Sequence, residues 1–367
     1  MYEEFTLTSG NAHFVPSEAA AQGHCKAMKS LRRYINSDRE VPDAIAALTC
    51  CAIFCCIDHL LGDQNGALGH LSSGVAMLKH AQATKSSVDR EGFRELTTIY
   101  ARLDLQASVY DDSRPPTLMH GVQDRVLTDP CRTNNNGFAS LGEASDALTW
   151  LSLNAFEILI LHAKDETHVR IAEISSACKT WDEKLSSFEQ TQRIEVVDRA
   201  KITTLATLRL HYRTLRILLR GRSDVLARSG PSSFDIEGWE LLRFAEIALR
   251  TGVVQPATSA RQFSFDLGVV APLSLLVVKT SEPDIRQGAM DLLYLAQNRQ
   301  EGMYDGSSSL RFALRAVESS SLSRLGVTVG DPPSEPVPLE WAIAQRVQSG
   351  ESRDEPMGHL ITALGAI

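Results

Sequence analysis

Five polar residues set in apolar surroundings are the first candidates for chemistry: His59, His70, Arg102, Asp104 and His162. A polar side chain in such a stretch must either find a buried partner or face a cavity. An apolar helical pocket with a few polar groups suffices for a cofactor-independent isomerase, cyclase or lyase. The plainer reading of each residue is an interhelical hydrogen bond or a buried polar network, and spacing favours it. Asp58 and His59 are neighbours, so on a helix they point about 100° apart and cannot pair by themselves. The chain contains no G-x-G-x-x-G, no P-loop, no G-x-S-x-G and no H-E-x-x-H. No catalytic residue and no cofactor is therefore assigned, and the five remain the residues to test if the protein is an enzyme.

Cysteines are the next candidates. Cys50, Cys51, Cys55 and Cys56 crowd one apolar run, and Cys51 and Cys55 fall on one helical face. Their neighbours are Ala, Ile and Phe, with no cation to stabilise a thiolate, so inert buried thiols and no metal are expected. The full count is seven, an odd number, and Met1-Tyr2-Glu3-Glu4-Phe5 lacks the features of a secretory signal. Both favour a reducing intracellular setting, nucleus or cytoplasm. The uncharged run from Ala44 to Ile57 falls short of the roughly 20 residues that span a bilayer, so no membrane segment is expected.

Arg209, Arg213, Arg216 and Arg220 recur every three or four residues, opposite Leu205, Leu208, Leu215 and Leu219. Such a stripe could track phosphates. No aromatic or base-reading side chains are interleaved with it, and the chain as a whole carries a net charge of −8. A solvated face or a protein-partner surface is the expectation.

Positioning all these residues falls to helices. The chain is 43% hydrophobic and 22% charged, a composition that buries a real core. Apolar positions recur at helical spacing from Pro16 onward. The segment from Asp43 to about Leu61 is apolar all round, which places it at the centre of the core. Phe93, Leu96, Tyr100, Leu103 and Ala107 mark one face of a further helix, and Leu105 and Val109 give it a second, so it should be covered on two sides. Other helices are expected near 142–163, 168–188, 194–219, 238–250, 266–279, 282–297 and 307–319. Ser281-Glu282-Pro283-Asp284 fits a capping box. No stretch alternates with period two for a useful length. The expectation is an all-α fold, an irregular bundle of antiparallel helix pairs without a significant sheet. Residues 1–15 form an N-terminal extension, 16–320 the domain and 321–367 a Pro-containing tail.

Four segments together carry a family resemblance. Leu48 to Lys79 pairs an apolar helix with an "A-x-x-H-L-x-x-G" helix (Ala67, His70, Leu71, Gly74) across a Gly-containing turn. Tyr100 to Pro115 contains R-L-D-L-Q-A, and Leu208 to Leu219 contains H-Y-R followed by a leucine pair. Pro272 to Asp305 contains "I-R-x-x-A-x-x-L-L" (Ile285, Arg286, Ala289, Leu292, Leu293) and ends in Arg299-Gln300-Glu301-Gly302-Met303-Tyr304-Asp305. In this order, over about residues 20–320, they resemble the fungal-specific transcription factor domain, the regulatory region of fungal zinc-cluster regulators. Tyr304 stands where that family commonly has Trp.

The resemblance implies a transcriptional regulator acting through protein contacts, homodimerisation included, or by sensing a small molecule, and plausibly serving a secondary-metabolite pathway. Members of the family begin with six cysteines that hold two zinc ions. This sequence contains no C-x-x-C, and the one cysteine before residue 50 is Cys25. With Met1 as its natural start, the protein is therefore expected to lack direct sequence-specific DNA binding by the family's route. The alternative is the recruited, cofactor-independent enzyme considered above.

Overall fold

A computed structural model describes residues 18–35, 44–61, 63–83, 90–110, 114–118, 137–160, 167–192, 198–223, 233–252, 262–264, 266 and 268–324. Among these residues the helical periodicities become eleven helices: α1 (Glu18–Ile35), α2 (Ala44–Leu61), α3 (Gln64–Ala83), α4 (Arg90–Tyr110), α5 (Leu141–Ile160), α6 (Thr167–Gln192), α7 (Arg199–Ser223), α8 (Ser233–Gly252), α9 (Val270–Lys279), α10 (Pro283–Leu295) and α11 (Gly306–Arg324). The fold is all-α. His162 and Cys131, like the extension at 1–15 and the tail from 325, lie outside the described residues.

Three apolar clusters form the core, and α5 enters all of them. Leu159 joins the cluster built on α7 to α10. Trp150 and Leu153 join the cluster of α2, α3 and α4. Leu148, Leu151, Ala155 and Ile158 pack with α6 and α7. The central helix is therefore α5 and not α2, as its apolar surface had suggested. α2 buries Leu48, Cys51, Cys55 and Phe54, while Ile53 is 49% exposed. Among the described residues α2 is the one helix long and apolar enough to cross a bilayer, but half of it is buried in the protein. It buries Asp58 and His59 as well, as a core helix with polar partners does. α4 is covered on two sides as its pattern requires, with Val109 packed against two of the three clusters.

α5 starts where local sequence dictates. Ser140 Oγ accepts the N–H of Glu143 at 3.1 Å, and Glu143 Oε2 accepts the N–H of Ala139 at 2.7 Å. This resembles a capping box, with Glu143 reaching back one residue beyond the cap to the N–H of Ala139. The capping box expected at Ser281 does not form. Glu282 is the N-cap of α10 and makes no side-chain cap bond. Asp235 on α8 takes over instead, accepting from Thr280 Oγ1 at 2.6 Å, from the Ser281 N–H at 2.7 Å and from Ser281 Oγ at 2.6 Å. Pro283, with no N–H to satisfy, then opens the helix.

Three short strands complete the fold: β1 (Gln262–Ser264), β2 (Arg299–Glu301) and β3 (Tyr304–Asp305). β1 pairs parallel to β2, with Ser264 opposite Glu301, and β2 pairs antiparallel to β3. The segment before α9, expected to be helical from Asp266, serves this small sheet and the helix starts at Val270. The β2–β3 turn needs Gly302. Its φ is +57°, and a Cβ there would lie 1.5 Å from Gln106 Oε1 on α4. Two motifs distant in sequence thus meet face to face. A second contact of this kind joins α3 and α4. A Cβ on Gly74 would fall 2.2 Å from the Tyr100 ring, whose hydroxyl donates to Leu48 O at 2.8 Å.

Asp305 ends the hairpin and starts α11, its Oδ2 accepting the Ser308 N–H at 3.0 Å and Ser308 Oγ at 2.6 Å. Asp305→Ala should cost about 1 kcal/mol, the ordinary worth of a helix cap. A urea midpoint equal to that of the unmodified protein would show that the cap is redundant.

Candidate functional site

The four described polar candidates, His59, His70, Arg102 and Asp104, do not gather in one place. Asp104 is fully buried on the far side of α4 from Arg102, since residues two apart on a helix differ by about 200°. It accepts from Thr117 Oγ1 at 2.9 Å and from the Leu118 N–H at 2.7 Å, and pairs with Arg114 Nη1 at 2.9 Å. That network fastens the segment 114–118 to α4. His59 and His70 sit where α1, α2 and α3 meet. His59 Nδ1 lies 3.1 Å from Gln64 Oε1, and burial pushes this imidazole down to about 4.

His70 Nε2 approaches Asp58 Oδ2 at 3.4 Å, while His24 Nε2 approaches Asp58 Oδ1 at 3.5 Å. Phe54 packs against both rings, with centroids 5.2 and 5.4 Å away. Burial raises the Asp58 carboxyl, and the two histidines draw it back. This is an interhelical clamp, the structural role expected of His70. Among the described residues no group of three His, Cys, Asp or Glu is arranged to hold a metal ion.

Cys51, Cys55 and Cys56 are buried thiols, and burial pushes Cys55 up to about 12. Cys56 Sγ donates to Ala52 O at 3.0 Å. Cys50, expected to be buried with them, is only half-buried, and Cys25 is exposed.

The arginines of the α7 stripe do not stand free in solvent; each is paired with an acid. Arg209 pairs with Asp182 and, at 2.8 Å, with Glu189 of α6. Arg213 reaches Glu240 at 2.9 Å, and Arg216 and Arg220 reach Glu237 at 2.9 and 2.5 Å, all on α8. Nearly every guanidinium is turned sideways into an ion-pair seam, because α6 and α8 carry acids at matching heights.

Of the described candidates, Arg102 lines a half-open cleft of about 330 Å³ between α4, α5, α7 and the edge of the small sheet, and His59, His70 and Asp104 do not. That volume is at the lower end of small-molecule sites. Arg102 Nη2 binds Asp146 on α5 at 2.8 Å, and Nη1 binds Asp266 beyond β1 at 2.6 Å. It thereby ties three parts of the wall together. Leu105, Leu148 and Leu208 give the cleft an apolar lining. α5 adds Ser145, Thr149 and Ser152, and α7 adds Thr203, Thr204, Thr207 and His211. His211 Nε2 lies 2.7 Å from Gly268 O, so this nitrogen carries the proton and donates.

Arg299 and Glu301 close the cleft from β2. Glu301 Oε2 accepts the Val270 N–H at 2.8 Å at the start of α9, and Arg299 Nη1 stands 3.8 Å from Glu301 Oε1. Burial raises the Glu301 carboxyl, and backbone N–H groups led by that of Val270 oppose the shift. The cleft thus touches the cap of a helix that belongs to a different core cluster.

Sequence reading singled out Arg102 and missed the rest. A signal was present, since Ser145, Thr149 and Ser152 are spaced by four and three, and Thr203, Thr207 and His211 by four and four. Hydroxyl-bearing residues repeating on one helical face, on two helices, mark a polar wall.

Compared with protein-family models, with curated proteins and with solved structures, the chain matches none.

Proposed function

We propose that this chain is the ligand-responsive regulatory domain of a transcriptional regulator of the fungal type, and that the cleft beside Arg102 receives its effector. One observation carries the reading. Arg102 and Leu105, Leu208 and His211, and Arg299 and Glu301 come from three separated segments that resemble that family, and all six line one cleft. Core residues of a purely structural motif have no reason to converge on a solvent-reachable cavity.

The wiring supports a response as well as binding. A ligand that competes for Arg102 alters its bonds to Asp146 and Asp266, which join α4 to α5 and to the segment leading into α9. A ligand acts on such a pair of states only through its difference in affinity for them. The output of the domain is a protein contact. The seam that neutralises the α7 arginines leaves little charge for DNA phosphates. A catalytic reading has less support, because the described candidates for it lie apart.

The test joins the chain to an unrelated DNA-binding domain in a reporter strain and adds fractionated small-molecule extracts of the source cells. We expect at least one fraction to change reporter output roughly tenfold, the size of ordinary allosteric coupling. Thr204→Trp, which fills the cleft from an exposed position, should abolish the change. The active compound should be recovered chemically unchanged from purified protein. A response indifferent to Thr204→Trp would defeat the proposal, and steady conversion of the compound would favour the enzyme.

A further inference from the structure

Helix α1 carries a row of cations that no acid of the described residues neutralises. Lys26, Lys29, Arg32 and Arg33 are all exposed, and among the described residues none of their side chains forms an ion pair or a hydrogen bond. At about 100° per residue the four fall within an arc of about 120°. The side that holds α1 to the protein is nearly opposite. There His24 Nε2 approaches Asp58 Oδ1 at 3.5 Å, and Leu31 packs on the core of α2, α3 and α4. From Lys26 to Arg33 the row runs about 10 Å along the helix axis. Glu18, the one acid of α1, lies two turns before it.

The arrangement works against the helix. Lys29 stands three residues from Lys26 and from Arg32 and four from Arg33, spacings at which like charges repel. The helix dipole favours cations in the last turn, which accounts for Arg32 and Arg33 but not for Lys26 and Lys29. On α7, by contrast, each arginine of the stripe meets an acid of α6 or α8. The chain carries a net charge of −8, and still the described residues set no acid against this row. Four cations kept together and turned outward match an anion from outside the chain.

We propose that the outward face of α1 docks an acidic segment of a protein partner, a run of Asp and Glu lying along the row. The inference does not depend on the cleft being the effector site. An extended acidic chain brings a carboxylate to one side about every 7 Å, so two or three fit the row. Other polyanions match it less well. Single-stranded nucleic acid needs aromatic platforms, and the neighbours that share the arc are Gln22 and Cys25. A membrane surface needs an apolar helix face, and Leu31 of α1 is already packed on the protein. Duplex DNA and anionic lipid present broad surfaces, which the acidic remainder of the chain repels. A narrow peptide meets the cations alone.

The probe is a labelled peptide alternating Asp with Ser, compared with its Asn counterpart. Fluorescence anisotropy with the full chain is read at about 25 and about 150 mM salt, a range over which exposed charges become screened. We expect a Kd of about 10–100 μM at low salt, at least about tenfold weaker at the higher salt, and no binding of the Asn peptide. Lys26→Glu with Lys29→Glu and Arg33→Glu should abolish binding. Arg94→Glu with Arg199→Glu and Arg243→Glu makes the same change of net charge at exposed positions on other helices, and should leave binding intact. Should the α1 reversal disturb folding by circular dichroism, Lys26→Gln with Lys29→Gln adds no acid and should still weaken binding severalfold. No binding at low salt, or equal loss in the two triple variants, would overturn the proposal. Tighter binding of oligo(dT), of a DNA duplex or of phosphatidylserine vesicles, lost in the α1 reversal, would overturn it as well, because the face would then serve phosphates.

Discussion

Asp104→Ala is expected to destabilise the protein by about 3–5 kcal/mol, the cost of removing one partner from a buried ion pair. The carboxylate is wholly buried and carries three attachments, Thr117 Oγ1, the Leu118 N–H and Arg114 Nη1. Without it, Arg114, 14% exposed, loses its anion. The Leu118 N–H loses its acceptor, although Leu118 itself is buried in the core formed by α2, α3 and α4. Asp104→Asn keeps one acceptor oxygen and should cost less. Urea unfolding of the two variants and the unmodified chain measures the order. A loss below about 1 kcal/mol for Asp104→Ala would mean that the segment 114–118 is held by Leu118 packing alone. The cleft should be untouched, since Asp104 faces away from it, so any variant that folds should keep the effector response.

How much was legible in the sequence differs between helices for a physical reason. Periodicity reports which face of a helix is apolar, and it does this well for α4. It does not report how many neighbours cover that face. α2 is the more hydrophobic stretch, yet α5 sits at the junction of three clusters, because Trp150, Leu151 and Leu159 each enter a different one. Pairwise electrostatics was likewise out of reach. Arg213 reads as a solvent-facing cation until Glu240 is brought to 2.9 Å by the packing of α7 on α8.

The cleft was hidden for the same reason. Arg102 and Asp266 are 164 residues apart in sequence, and only the tertiary fold joins them. Side-chain hydroxyls on helices ordinarily face water or bond back to the helix, so Thr149 and Thr207 carried no isolated signal. Gly302 was visible as a motif residue. Its reason, room for Gln106 and a positive φ, was not.

Acid should weaken the fold through His59, and the sign can be worked out. Burial holds this imidazole neutral and pushes it from an ordinary value of 6.5 down to about 4. In the unfolded chain it takes up a proton near the ordinary value. Between these two points the unfolded state binds more protons than the folded one, so stability falls as pH falls from about 6.5 to about 4. Below that window both states are protonated and the contribution is flat. At about 1.4 kcal/mol for each unit, the loss is about 3 kcal/mol. Asp58 works the other way, because its carboxyl is raised in the folded state and acidification favours that state. The quantity to measure is therefore a difference. Unfolding free energies of the unmodified protein and of His59→Gln, taken at intervals from neutral pH to about pH 4, share the contribution of Asp58 and of every other group that His59 does not touch. Their difference should shrink by about 3 kcal/mol across the window, with the unmodified protein losing its advantage as the imidazole is forced to ionise. A difference that stays constant would mean that His59 reaches water when protonated, and that the contact with Gln64 Oε1 opens at no cost.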